Sequence, residues 1–337
     1  MNPEPRAIIA RSFGPPEDLS LEAHDPGVPG PGQLRLRIHA AGVSFADLLV
    51  VEGKYQVKPP LPLILGSECA GVVEAVGEGV SPARIGQRVM ACGFGFAFAE
   101  AAVIPDKLAI PIPGAMSFAE AAVFHVSYVT AYHALTQRAA LQPGEVLLVL
   151  GAAGAVGQAA IQIGKLLGAK IIGSASSAEK RALALSAGAD IVLDSRAPKW
   201  REALKEALGD KGVDVVVDPV GGAMMELAFR SLAWRGRHLV IGFASGEIPR
   251  LPANLPLLKG AALIGVEVRQ FAANEPDTAA ANLEALLALS AAGKLRPAIA
   301  ETYRIEDYVA AMNRAATGDS TGRIVMLMRA PEAEFAA

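Results

Sequence analysis

Five apolar residues at 146–150 lead without a break into Gly151-Ala152-Ala153-Gly154-Ala155-Val156-Gly157, and an apolar helical pattern begins inside that run. A glycine-rich turn between a strand and a helix is the setting in which backbone amides and the helix dipole can hold a diphosphate. There Gly154 lets the main chain approach the phosphates, and Gly157 lets the helix pack closely on the strand. The expected cradle is Ala153, Gly154, Ala155, Val156 and Gly157, with Ala152 standing where a first glycine is usual. Beyond this turn the chain keeps one rhythm: helices at 156–167, 178–187, 200–208 and 223–232 alternate with strands at 170–174, 190–193, 213–218 and 236–241, and a last strand falls at 262–266. With the strand at 146–150 this makes six strands, which predicts a doubly wound parallel sheet of the dinucleotide-binding kind.

The preceding sequence has another character. From Arg6 to about Val103 short apolar runs, such as 34–38, 71–76 and 88–91, are separated by Gly and Pro clusters, as in a compact β domain. Residues 25–32 (DPGVPGPG) cannot hold a helix, because each proline lacks an amide donor and restricts its predecessor. Ser117-Phe118-Ala119-Glu120 has the spacing of a capping box and predicts a helical connector to about Gln137. A helix at 278–292 and a strand at 324–328 are too little for a third domain and are expected to return to the first. The predicted class is α/β: a Rossmann doubly wound parallel sheet, residues 126–266, inserted in a β-rich, partly barrel-like catalytic domain, residues 1–125 plus 267–337.

A net charge of -3 with 19% charged residues offers no basic face for nucleic acid, so a small-molecule substrate is expected. No apolar run is long enough to span a bilayer, and Pro3, Glu4 and Pro5 stand where a signal peptide needs an apolar core; a cytoplasmic protein with no membrane partner is expected. Cys69 and Cys92 are the only cysteines and form no CxxC pair, which excludes a structural zinc site by count. After the second strand of the alternation, Gly173-Ser174-Ala175-Ser176-Ser177-Ala178-Glu179-Lys180 puts no acid at the strand tip. A carboxylate there binds the ribose hydroxyls of NAD and would repel a 2′-phosphate of about -1.5 to -2 charges. Ser176, Ser177 and Lys180 therefore predict NADPH as cofactor.

Four blocks together resemble the medium-chain dehydrogenase/reductase superfamily, and within it the zinc-free quinone oxidoreductases: Ala40-Ala41-Gly42-Val43-Ser44-Phe45-Ala46-Asp47, Gly66-Ser67-Glu68-Cys69-Ala70-Gly71, the turn at 152–157, and Asp218-Pro219-Val220-Gly221-Gly222. In the zinc-dependent members three ligands fall at positions that correspond here to Ser44, Ser67 and Val126, which cannot hold a catalytic Zn²⁺. The resemblance thus implies no catalytic metal, and His125 beside the third position reads as a packed residue. Without a Lewis acid, substrates that already accept hydride well are expected, such as quinones and α,β-unsaturated carbonyls. The family's nicotinamide cleft has an Asn and two tyrosines; Ser44 and Leu49 replace the Asn and the nearer Tyr, while Asp47 and Tyr55 match. Tyr55 is implied to hydrogen-bond the substrate oxygen or deliver a proton, with Ser44 beside it and Asp47 orienting its neighbours.

By the same resemblance Thr130 flanks the nicotinamide, Phe243 and Ser245 pass over its ribose, and Val266 and Val268 touch the carboxamide. Ser195 stands where a phosphate-binding Tyr is common, which leaves Lys180, Ser176 and Arg314 for that role, with Arg196 as a substitute. The expected activity is NADPH-dependent hydride transfer to quinones. The alternatives are an ene-reductase of enoyl thioesters or enones and a low-turnover NADPH-binding protein. An open strand edge near 262–268 adds the expectation of a homodimer.

Overall fold

The computed structural model describes residues 4–55, 58–209 and 211–329. Packing divides the chain into two units, one built from the chain up to Val126 and again from Arg296 onward, the other from Ser127–Leu295.

The axis of the first unit is the strand Gln33–Val43. Leu34, Leu36 and Ile38 are fully buried while Arg35 and Arg37 between them are not, the period of two that one covered sheet face imposes. The strand is longer than expected, because Ala40-Ala41-Gly42-Val43 continues it as a fully buried run of small residues. It pairs antiparallel with Glu68–Val76, Ala101–Pro105 and Arg323–Leu327. The seven-stranded sheet is an open path from Ile299–Arg304 to Ala109–Pro111, and a three-stranded sheet of Ser20–Ala23, Arg6–Ala10 and Leu63–Ile64 accompanies it. The helix Tyr308–Ala316 adds Ala311 and Met312 to the same core.

The connector expected as one helix over 117–137 is broken. Ser117 and Glu120 form the predicted capping box on the short helix Phe118–Ala121, and a second helix, His125–His133, runs into a π-helical turn, Ala134–Arg138. Two features interrupt it. The carboxylate of Glu68 accepts the amide of Val126 at 2.8 Å, a side-chain cap for a fresh helix start. A Cβ at Gly42 would lie 2.4 Å from the Ala122 carbonyl oxygen, so that carbonyl lies hard against the strand.

The second unit holds the six-stranded sheet. Its strands in chain order are Val146–Leu150, Lys170–Ala175, Ile191–Asp194, Val213–Asp218, Leu232–Val240 and Ala262–Gly265. Side by side they run third, second, first, fourth, fifth, sixth, all parallel, which is the doubly wound order with its switch point beside the first strand. Leu147, Leu148 and Val149 are 0% exposed, as a sheet covered on both faces requires. The fifth strand begins at Leu232 rather than 236, because a register shift between Val213 and Val215 and the left-handed backbone of Arg235 (φ 61°) absorb its irregular start.

The unit does not end at Val266. The helices Val268–Asn274 and Pro276–Ala291 stay with the unit of the six-stranded sheet: Asn282, 5% exposed, exchanges hydrogen bonds of 3.1 Å with Gln137, and Phe271 stacks on His133 at 3.8 Å. The return expected at 267 therefore comes after Leu295. Among the described residues no helix is long and apolar enough to cross a membrane.

Candidate active site

The glycine turn is built by close approach. Gly151 has φ +59°, and a Cβ on Gly157 would lie 2.3 Å from the Gly151 carbonyl oxygen. The helix Ala155–Leu166 thus starts directly against the strand end, with Gly154 as its N-cap and no side chain capping it. The amides of Ala155, Val156 and Gly157 lie in the first turn, where the helix supplies no acceptor. Together with half-exposed Ala155 and Val156 and exposed Gly154 they form a concave donor set suited to a diphosphate. Ala153, 6% exposed, lies beneath them, and its carbonyl accepts from the Gln158 side chain at 2.8 Å.

At the tip of the second strand, Ser177 caps the helix Ala178–Ser186 by accepting the Lys180 amide at 3.3 Å, and Lys180 Nζ lies 3.5 Å from Ser176 Oγ. The structure adds Arg181, which is absent from the residues expected on sequence grounds. Arg181 pairs with Asp194 at 3.1 Å, and Asp194 is the register partner of Ala175 on the third strand. An acid does stand beside the strand tip, then, held by a guanidinium. The run Glu179-Lys180-Arg181 is the visible signal for this second cation. Arg314 belongs to the first unit, where its guanidinium binds Glu301 at 2.7 Å and Thr317 at 3.1 Å.

Thr130, 7% exposed, sits within the helix His125–His133 of this unit's entry segment. Phe243 and Ser245 lie on the loop after the fifth strand, with the Ser245 amide bonded to Val220 O at 3.0 Å. Val266 bonds the carbonyl of Val240 at 3.0 Å just past the last strand, whereas Val268 opens a helix capped by the Glu267 side chain.

In the first unit a buried polar group surrounds Asp47. Ser44 caps the helix Phe45–Val51 and Asp47 answers as the third residue of the capping box. The carboxylate, in a residue 2% exposed, accepts from the Ser44 amide (2.8 Å), the Ser44 hydroxyl (2.6 Å) and the Ser67 hydroxyl (2.9 Å). Both hydroxyls are thereby engaged by one acceptor, and Ser44 is an orienting group here rather than a free donor. Beside them Glu68, also 2% exposed, lies 3.6 Å from Arg323 and accepts the Val126 amide. Desolvation raises the Asp47 carboxyl and pushes Glu68 up to about 7, while the Arg323 charge draws both down. Burial pushes the Cys69 and Cys92 thiols up and the His125 imidazole down to about 4, so these stay neutral.

Because Glu68 holds its proton more tightly in the folded chain than at its ordinary value of 4.5, its stabilising contribution is complete below about 4.5 and is lost as pH rises through about 7. An amide copies the protonated form. The melting temperature of Glu68→Gln relative to the parent is expected to climb between about pH 4.5 and about pH 7 and to level off above that; a flat difference would exclude this titration.

Next to Asp47 a small recess is lined by Val50, Leu63, Leu65, Gly66 and Phe94. Tyr55, half-buried, packs on this core with its ring 5.7 Å from that of Phe94. No group of three His, Cys, Asp or Glu side chains converges on one point among the described residues.

Two family models match the chain: Alcohol dehydrogenase GroES-like domain at residues 30–114 and Zinc-binding dehydrogenase at residues 155–285. The Quinone oxidoreductase-like protein 2 homolog of Nematostella vectensis is 34% identical over 324 residues, 95% of this chain and 88% of that protein. The chain belongs to the medium-chain dehydrogenase/reductase superfamily, among its quinone oxidoreductase-like members.

Two solved members of the superfamily place the same architecture in context. Escherichia coli quinone oxidoreductase complexed with NADPH superposes with a TM-score of 0.87 at 30% identity, over 96% of this chain and 99% of that one. CurK enoyl reductase gives 0.87 at 25% identity, over 97% and 100%. The chain is accordingly an oxidoreductase of this superfamily.

Proposed function

We propose that this chain is an NADPH-dependent oxidoreductase that transfers hydride to quinones without a metal ion. The observation that carries the reading is the Asp47 centre: the two side chains at ligand positions are hydroxyls that both donate to one buried carboxylate. Such a centre orients groups but offers no Lewis acid, which suits acceptors that spread incoming charge over their own conjugated system.

The donor set at Gly154 to Gly157 fits a diphosphate, and bound NADPH would supply the hydride. Lys180, Arg181 and Ser176 hold the 2′-phosphate, and Thr130, Phe243, Ser245, Val266 and Val268 orient the nicotinamide end. Tyr55, whose hydroxyl has no partner among the described residues, donates to the substrate oxygen. The likeness to an enoyl reductase favours a second reading, reduction of enones or enoyl thioesters by the same hydride geometry.

Following NADPH absorbance with a panel of quinones, enones and enoyl thioesters, with and without a chelator, tests both. Quinone turnover indifferent to chelator is expected; turnover that a chelator abolishes would refute the metal-free reading. Tyr55→Phe should lower kcat with the preferred acceptor by roughly tenfold to a hundredfold, since one donor to a developing oxyanion is lost; parental kcat would remove Tyr55 from that role.

The proposal includes a homodimer paired through the edge strand Ala262–Gly265. It is supported by Trp234, Leu257 and Leu258, 76%, 80% and 72% exposed, on the adjoining strand and the helix that precedes the edge. Apolar side chains so exposed at an open sheet edge call for a cover. Light scattering should give twice the chain mass for the parent and a single chain mass for Trp234→Glu with Leu257→Glu; a monomeric parent would refute it.

A further inference from the structure

At the carboxyl end of the fourth parallel strand Asp218 is 1% exposed, and His238 on the neighbouring strand is 0% exposed. Three of the four or so acceptor directions of this carboxylate are used. Oδ1 accepts the amides of Val220 (2.9 Å) and Gly221 (2.8 Å), and Oδ2 lies 2.9 Å from His238 Nε2. An ionised carboxylate only accepts, so Nε2 carries the hydrogen, and Nδ1 is left bare, with no partner among the described residues. A buried imidazole with one unsatisfied nitrogen is a cost the fold retains in order to hold Asp218 from behind.

The turn held by Asp218 touches both parts of the candidate cofactor site. On one side a Cβ at Gly151 would lie 2.9 Å from Val220 Cγ2, so the turn packs against the glycine turn of the first strand. On the other side three main-chain bonds join it to the loop carrying Phe243 and Ser245: Ala244 to Pro219 O (3.1 Å), Ser245 to Val220 O (3.0 Å) and Gly222 to Glu247 O (3.2 Å). The fit leaves no space. A Cβ at Gly221 would come 2.8 Å from the Phe243 ring, and one at Gly222 2.8 Å from Ser245 Oγ.

We infer that Asp218, backed by His238, is a positioning residue for the cofactor: it fixes the Val220 to Gly222 turn, and through it the glycine turn at Gly151 and the loop of Phe243 and Ser245. This rests on the reading that the second unit binds NADPH. Removing the carboxylate frees two amides and lets the loop sample positions that do not fit the cofactor, so apparent affinity falls by the fraction of competent loop.

The test is the KM for NADPH in Asp218→Ala, Asp218→Asn and Gly222→Ala, with the NADPH-binding stoichiometry as a count of folded protein. Asp218→Ala is expected to raise KM by about tenfold at unchanged stoichiometry, the loop being competent about a tenth of the time. Asp218→Asn should rescue most of that loss, because the amide oxygen still accepts from Val220 and Gly221 while its NH₂ donates to a His238 whose hydrogen has moved to Nδ1. Should the alanine variant fold poorly, Gly222→Ala disturbs the same loop from its opposite side without touching the buried pair, and a raised KM there upholds the inference. An unchanged NADPH KM in both Asp218→Ala and Gly222→Ala, or an asparagine variant as impaired as the alanine one, overturns it. A parent that binds no NADPH refutes the proposed function itself, a distinct result.

Discussion

Replacing Gly157 by alanine is expected to abolish measurable NADPH binding while leaving a folded chain. The added methyl would lie 2.3 Å from the Gly151 carbonyl oxygen and 3.0 Å from Ala152 Cα, both main-chain atoms that no rotamer change can move aside. The helix Ala155–Leu166 must then lift from the strand, carrying its first-turn amides away from their common focus. Overpacking of this kind costs roughly 1–3 kcal/mol, which in a domain of this size lowers Tm by a few degrees rather than unfolding it. Gly154 provides the contrast: its φ is -73°, and a Cβ there would meet the same oxygen at 3.2 Å, so Gly154→Ala should weaken binding less. Titration calorimetry decides the matter. Parental affinity in Gly157→Ala would mean that the diphosphate is held elsewhere.

The second large effect concerns the choice between the two nicotinamide dinucleotides. Lys180→Ala combined with Arg181→Ala should raise the KM for NADPH by about a hundredfold and that for NADH by less than about threefold, since each charge-assisted hydrogen bond to a partly exposed phosphate contributes roughly 1.5 kcal/mol. Arg181 does double duty. It is a cation at the strand tip, and it pairs with Asp194, whose carboxylate would otherwise face an incoming phosphate uncompensated. Steady-state kinetics with both cofactors checks this, and a KM raised equally for NADPH and NADH would show that these side chains do not contact the 2′-phosphate.

The parallel sheet was legible because its signal is local: apolar runs of strand length, helical spacing between them, and a glycine turn at the first junction. Boundaries set by distant partners were not. The extension of the second unit to Leu295 depends on Asn282 meeting Gln137, 145 residues away in sequence, which no window of periodicity can register. The continuation of the first unit's long strand through Ala40-Ala41-Gly42 was hidden for another reason: small residues carry little β preference, and their place is decided by how closely Ala122 approaches. Among site residues, the glycine turn follows from spacing, whereas the Ser44 cap on Asp47 was not read from the sequence and the second hydroxyl, from Ser67, arrives from the strand-side block 20 residues on. The bond from Arg314 to Glu301 was likewise invisible, since nothing in a single arginine announces its partner.

The pairing of Ser44 and Ser67 on Asp47 also bears on how such a chain can change. Each hydroxyl is fitted to the same anion, so introducing one thiolate at either position would set like charge against Asp47 and strand the remaining serine, with no ion present to reconcile them. A metal centre here would need donor side chains at Ser44, Ser67 and Val126 together, since a single one would disturb the Asp47 hydrogen bonds without completing a site.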